Sequence, residues 1–313
     1  MNQIKKCFRM INPFNNMEDM PIPVFILKKI LAFLIIYYVS GVLGEAIIIG
    51  GFTAMGYDPL HGDMPSGEIA GLVKYYVFAV FLIVTLLYCA IVEKRSPKKL
   101  GFNKKITDYL PGIGIAVVLL GIIIGICTAC GKISYLGINK DIDVKYILLL
   151  FGGLVIQGAA EEALCRGFVL TSLAKKVPLP IAVFFSATAF AFPHFFTLFD
   201  ADIQFALLGL VNLYLVSTVF SMLVLIRSNI WASCGLHSIW NFLLYGIFGL
   251  TLSGNETEMS GVFCFKAEGA NIFNGGVYGI EASIITTVVL GIAVVVLCLY
   301  AMKRDPAKQI MEE

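Results

Sequence analysis

The sequence predicts an all-α polytopic membrane protein, with about eight transmembrane helices enclosing a polar intramembrane cavity. Three observations carry that expectation. Of 313 residues, 58% are hydrophobic and only 14% are charged, whereas soluble domains carry about 25% charged residues. Mean hydropathy is +0.87. The apolar residues also fall into runs of roughly 20, the length a helix needs to cross a hydrocarbon core. A soluble fold of this length needs a polar shell that the chain cannot supply. A bilayer-spanning bundle needs polar residues only in its loops and ends. The net charge of +2 gives no footprint for nucleic acid as a partner. The same figures exclude disordered chains and secreted disulfide scaffolds.

The expected spans follow in order. The first, Val24 to Gly50, comes after 23 polar and mixed residues. It exceeds the roughly 7–15 apolar residues of a signal peptide and lacks a small-residue cleavage site, so it is read as a retained helix. Ile69 to Val92 and Tyr109 to Cys130 are the second and third. Cys127 and Cys130 form a C-x-x-C pair with no second half elsewhere, and are read as packing residues of an apolar helix. The fourth, Tyr146 to Leu170, contains Glu161, Glu162 and Arg166. The fifth, Leu179 to Leu198, contains His194 after Pro193, a proline that should loosen the helix there. Gln204 to Ile226 is the sixth, and Ile230 to Leu250, with His237 and Asn241, the seventh. Val277 to Met302 is the eighth. Glu45 and Glu281 stand alone near span ends and are read as interfacial or tuning residues. No repeat or linker divides the chain, so residues 1–313 are expected to form one integral membrane domain, with residues 146–250 as its motif-bearing core helices.

Loop charge predicts orientation. With the N-terminus cytoplasmic, the inner side collects 17 Lys and Arg, including six between Lys94 and Lys105, Lys175, Lys176 and Arg227. The outer side collects four: Lys132, Lys140, Lys145 and Lys266. That asymmetry predicts both termini in the cytoplasm. The compact loops suit a bacterial cytoplasmic membrane. Asn255-Glu256-Thr257 is a glycosylation sequon in an outer loop, a tripeptide common by chance. The C-terminus carries no CaaX-type ending.

Ionisable groups inside spans are costly and point to function. Two of the three histidines lie in predicted spans. At about 100° per residue, Glu162 and Arg166 share a helix face and are spaced for a buried ion pair. Glu161 lies about 140° around from Arg166 by the same geometry, which leaves its carboxylate free. His237 and Asn241 also share a face. Glu161, His194, His237 and Asn241 are therefore expected to meet in one polar pocket. A desolvated glutamate there can take a proton from water. A histidine can share that proton, and a second histidine with an amide can donate to an oxyanion. The same Glu161, His194 and His237 set is also a possible zinc site with one open position. No H-E-x-x-H occurs, which excludes a soluble-type zincin.

Glu161-Glu162-x-x-x-Arg166, Phe190-x-x-x-His194 and His237-x-x-x-Asn241 together resemble the three motifs of the CAAX-protease and bacteriocin-processing (abortive-infection) family, in the family's order. The resemblance covers roughly Tyr146 to Leu250. It implies an eight-helix intramembrane endopeptidase whose cavity opens to cytosol or membrane. It implies that Glu161 with His194 activates water, that His237 and Asn241 stabilise the oxyanion, and that no metal is required, with zinc the alternative. The implied substrate is a peptide or a membrane protein, and the implied partner the lipid bilayer. Prenyl-protein processing belongs to eukaryotic members; peptide maturation, bacteriocin immunity and regulated cleavage of membrane proteins are associated with bacterial ones. A non-enzymatic immunity or scaffold protein, or a transporter using the same midplane pocket, is the alternative of a different class.

Overall fold

The computed structural model describes residues 8–255 and 261–303. Glu256 and Thr257 of the sequon, and Lys5, Lys6, Arg304 and Lys308 in the tails, lie outside the described residues. The chain enters α1 (Ile22–Ala54) with a proline in the first turn, where its missing N–H breaks no helical bond. It continues through α2 (Gly67–Ile91), α3 (Tyr109–Ala129) and α4 (Val144–Glu162). Asp143 caps α4, its side chain accepting from the Tyr146 N–H at 3.0 Å. A π-helical segment, Ala163–Leu170, then widens the helix. α5 (Leu179–Ala191) gives way to a 3₁₀ turn, Phe192–His194, and a short helix, Phe195–Phe199. Pro193 stands inside that turn, and the loosening expected beside His194 is present. α6 (Ile203–Arg227), α7 (Trp231–Asn241) and α8 (Ile284–Met302) complete the bundle.

The protein is thus an all-α membrane protein. Among the described residues seven helices are long and apolar enough to cross a bilayer, and many of their large apolar side chains face outward, as with Val42, Ile83, Val118, Leu148, Phe184 and Val295. The expected span Ile230 to Leu250 is not among the seven. It is helical, α7 followed by a π segment, Phe242–Ile247, but every residue from Ala232 to Asn241 is buried. Its apolar run packs against other helices instead of lipid, so it needs neither the length nor the uniform apolarity of a lipid-facing span. The last helix also starts later than expected, at Ile284, because Gly276–Tyr278 and Ile280–Ala282 form 3₁₀ turns. Glu281 therefore lies in a connection, not in a span.

Strands β1 (Ile133–Ile138) and β2 (Phe263–Ala267) pair antiparallel with a bulge between Tyr135 and Gly137. This small sheet joins the α3–α4 and α7–α8 connections at one end of the bundle, the hairpin end. The N-terminal segment is tied to the opposite, basic end. Lys29 forms a buried pair with Glu93 at 2.6 Å, and Lys175 meets Glu18 at 3.1 Å. α7 packs between α3, α4 and α6. Its approach to α3 is close enough to require glycine on both sides. A Cβ on Gly112 would stand 2.1 Å from the Ala232 carbonyl oxygen, and one on Gly235 would stand 2.3 Å from that of Tyr109.

Candidate active site

Arg166 is the anchor. Its side chain is fully buried within the π segment, its Nη1 donating to Glu162 Oε1 at 2.9 Å and its Nη2 to Ser217 Oγ at 2.6 Å. The guanidinium lies between two aromatic faces, 4.7 Å from the Phe190 ring centre and 4.8 Å from that of Phe220, an arrangement a planar cation favours when desolvated. The expected Glu162–Arg166 pair is present, although the turn that holds it is π and not α.

Glu162 Oε1 has a second partner, His237 Nδ1, at 3.2 Å. A carboxylate already paired with arginine is an acceptor, so Nδ1 carries the hydrogen and Nε2 is directed towards Glu161, whose Oε2 lies 3.8 Å away. The imidazole is held in that orientation by Phe220, stacked at 5.1 Å, and by the edge of Phe190 at 5.6 Å. Glu161 stays out of the Arg166 pair, as the helix angles predict, and its side chain keeps 18% exposure. Gln157, one turn earlier, donates from Nε2 to Glu161 Oε1 at 3.1 Å and accepts from Asn241 Nδ2 at 3.3 Å. The amide thus joins the glutamate of α4 to the asparagine of α7.

Glu161, His194, His237 and Asn241 all line one cavity of about 250 Å³, together with Gln157, Tyr37, Lys74 and Glu281. His194 comes from the 3₁₀ turn after α5. Its ring lies 5.5 Å from that of Phe190, and the ionisable groups around it are Glu161, Glu281, His237 and Lys74. A second, mostly apolar pocket of about 80 Å³ adjoins Glu161 between α1, α2, α4 and α5, lined by Phe33, Phe81, Leu164 and Ala189 among others.

Four contributors escaped sequence reasoning. Gln157 was legible by the same four-residue spacing that flagged Glu162 with Arg166. Ser217 and Phe220 gave no signal, because serine and phenylalanine are ordinary in membrane helices. Glu281 was read as an isolated interfacial or tuning residue, and the structure shows that it is not isolated. Its carboxylate accepts from Trp240 Nε1 at 2.9 Å and from the Ser253 N–H and Oγ at 2.7 and 3.0 Å. It ties the residue before Asn241 to the loop over the cavity. Burial raises the nearby Tyr278 phenol above its ordinary pKa, and the Glu281 carboxylate adds to the rise. The zinc alternative requires Glu161, His194 and His237 to converge on one point. Among the described residues, no three His, Cys, Asp or Glu side chains gather closely enough to hold a metal ion, so this arrangement does not fit that ligand set. Cys127 and Cys130 are free thiols, the first buried and the second exposed.

Fold and cavity define a helical membrane protein with carboxylates and histidines enclosed at the centre of its bundle. Residues 143–243 match the family described as type II CAAX prenyl endopeptidase Rce1-like. The segment that carries the three motifs is therefore similar to that family, over about a third of the chain. No curated protein and no solved structure matches the chain.

Proposed function

We propose that this protein hydrolyses a peptide bond of a peptide or membrane-protein substrate within the bilayer, using water activated by Glu161 and His194. The observation that carries this reading is the convergence of Glu161, His194, His237 and Asn241 on one cavity, with Glu161 the carboxylate left out of the arginine pair. Glu161 takes a proton from a water oriented by His194, and the hydroxide attacks the scissile carbonyl carbon. The resulting oxyanion accepts from Asn241 Nδ2, which has a second hydrogen beyond the one given to Gln157, and from His237 Nε2 when the ring is doubly protonated. Preorganised donors of this kind usually supply the largest share of rate enhancement. Collapse of the tetrahedral intermediate breaks the C–N bond, and Glu161 returns its proton to the leaving amine. Glu162 and Arg166 act through His237, fixing its ring. We place the catalytic core in residues 146–250 of one membrane domain, in a bacterial cytoplasmic membrane.

The test is a cleavage assay on purified wild type and Glu161→Ala, each with and without a chelator. Cleavage by wild type in both conditions and none by the variant is expected. Equal cleavage by both proteins would overturn the assignment. An immunity protein, scaffold or transporter would yield no cleavage product at all.

A further inference from the structure

The cavity has a direction. Its floor is formed by Glu161, Phe220 and His237, and its far wall by Lys74, Thr197, Ser253, Asn255 and Glu281. Lys74 lies in the second turn of α2, which starts at the hairpin end. Ser253 and Asn255 belong to the α7–α8 connection, and Glu281 to the turn before α8. At 1.5 Å per residue, Glu161 lies about 25 Å below the hairpin-end start of α4. None of the lining residues comes from the connections at the basic end.

The basic end is instead packed shut. Below Glu161, Glu162 and Arg166 are fully buried, and so are Phe168, Leu173, Leu100, Ile230 and Ala232. Arg95 closes this plug from outside. It donates to the Gly167 carbonyl at 3.2 Å, to Thr171 Oγ1 at 2.6 Å and to Ser172 Oγ at 3.0 Å. The lysines of residues 94–105, with Lys175, Lys176 and Arg227, surround that same closed end. An excess of Lys and Arg marks the cytoplasmic side of a membrane protein. The end that is sealed is the end that faces the cytoplasm.

We infer that the catalytic cavity receives its substrate from the extracytoplasmic side. The substrate class is then a peptide segment presented at the outer leaflet, such as an exported peptide or the outer end of a membrane-spanning helix. A cytoplasmic tail has no route to Glu161 through the plug. This inference rests on the endopeptidase reading for what happens at Glu161, but its geometry stands apart from that reading.

The test uses full-length protein in whole cells, with Cys7, Cys130 and Cys264 replaced by serine. Single cysteines are then introduced at Asn255→Cys and Lys74→Cys beside the cavity mouth, Thr197→Cys in its wall, and Lys98→Cys at the basic end. A charged, membrane-impermeant methanethiosulfonate should label the first three in intact cells, with no further gain on permeabilisation. Lys98→Cys should gain its label only on permeabilisation. The reverse pattern would overturn the inference. So would labelling of Lys74→Cys and Thr197→Cys only after permeabilisation, even with Asn255→Cys outside. Expected labelling with no proteolysis in vitro would sink the endopeptidase reading and leave the direction of access standing.

Discussion

Replacing Glu162 by glutamine changes one atom in a side chain with no solvent exposure. Its Oε1 holds Arg166 at 2.9 Å and His237 Nδ1 at 3.2 Å, while its Oε2 is buried without a hydrogen-bond partner. Glutamine would keep one acceptor and lose the charge. Arg166 would remain as a buried cation, held by Ser217 and two phenyl faces. Breaking a buried pair in this way costs about 3–5 kcal/mol, a large part of a total stability of about 5–15 kcal/mol. At about 2–4 °C per kcal/mol for larger domains, Tm should fall by roughly 10 °C. Glu161→Gln replaces a carboxylate that faces the cavity and can still accept from Gln157, so its Tm should stay within about 1 °C of wild type. Its turnover should fall by about 10²–10⁴, the range of general acid–base catalysis. The assay is thermal unfolding in detergent, followed by the fluorescence of Trp231 and Trp240, beside single-turnover cleavage. Adding Arg166→Met to Glu162→Gln should recover much of the lost Tm, since no unpaired charge is left. Equal melting of the two single variants, or near-normal cleavage by Glu161→Gln, would refute the division of labour between adjacent glutamates.

Asn241→Ala should leave weak, measurable cleavage, about 10²–10³ below wild type, whereas His194→Ala should leave essentially none; identical losses would argue against an oxyanion role for the amide. Elemental analysis of detergent-purified protein should give well under one zinc per chain, and a chelator should leave cleavage unchanged. Stoichiometric zinc, lost with activity in His194→Ala or His237→Ala, would overturn the metal-free reading. Glu281→Gln should weaken the tie between Trp240 and the Ser253 loop, shifting Trp emission and lowering kcat more than it raises KM. An unchanged spectrum with an unchanged kcat would count against that positioning role.

Hydropathy made the membrane class legible, because the bilayer imposes length and apolarity on each lipid-facing helix separately. The polar site was legible for the opposite reason: groups that lipid rejects stand out against an apolar background. Glu162 with Arg166 could be paired from their spacing alone. What stayed hidden depends on contacts distant in sequence. The π segments at Ala163–Leu170 and Phe242–Ile247 leave no pattern in the residues that form them. β1 and β2 are separated by more than a hundred residues, so neither strand signals its partner. The seventh window gave no sign that it crosses the bundle buried among other helices, because apolar residues read alike against lipid and against protein. Glu281 looked peripheral until its connection folded back over the cavity.

The paired glycines between α3 and α7 give the molecule two different boundaries. The segment that carries the motifs, residues 143–243, is the portion that matches a known family. Gly112 and Tyr109 lie outside it, yet the backbone of α7 rests directly on theirs two residues before His237. Cut out by itself, the matched portion would lose the α3 surface that seats its histidine helix and expose the Gly235 face, with no side chain there to compensate. The part that can be recognised and the part that can stand alone are not the same. A transplant of the motifs into another bundle would have to carry α3 with it.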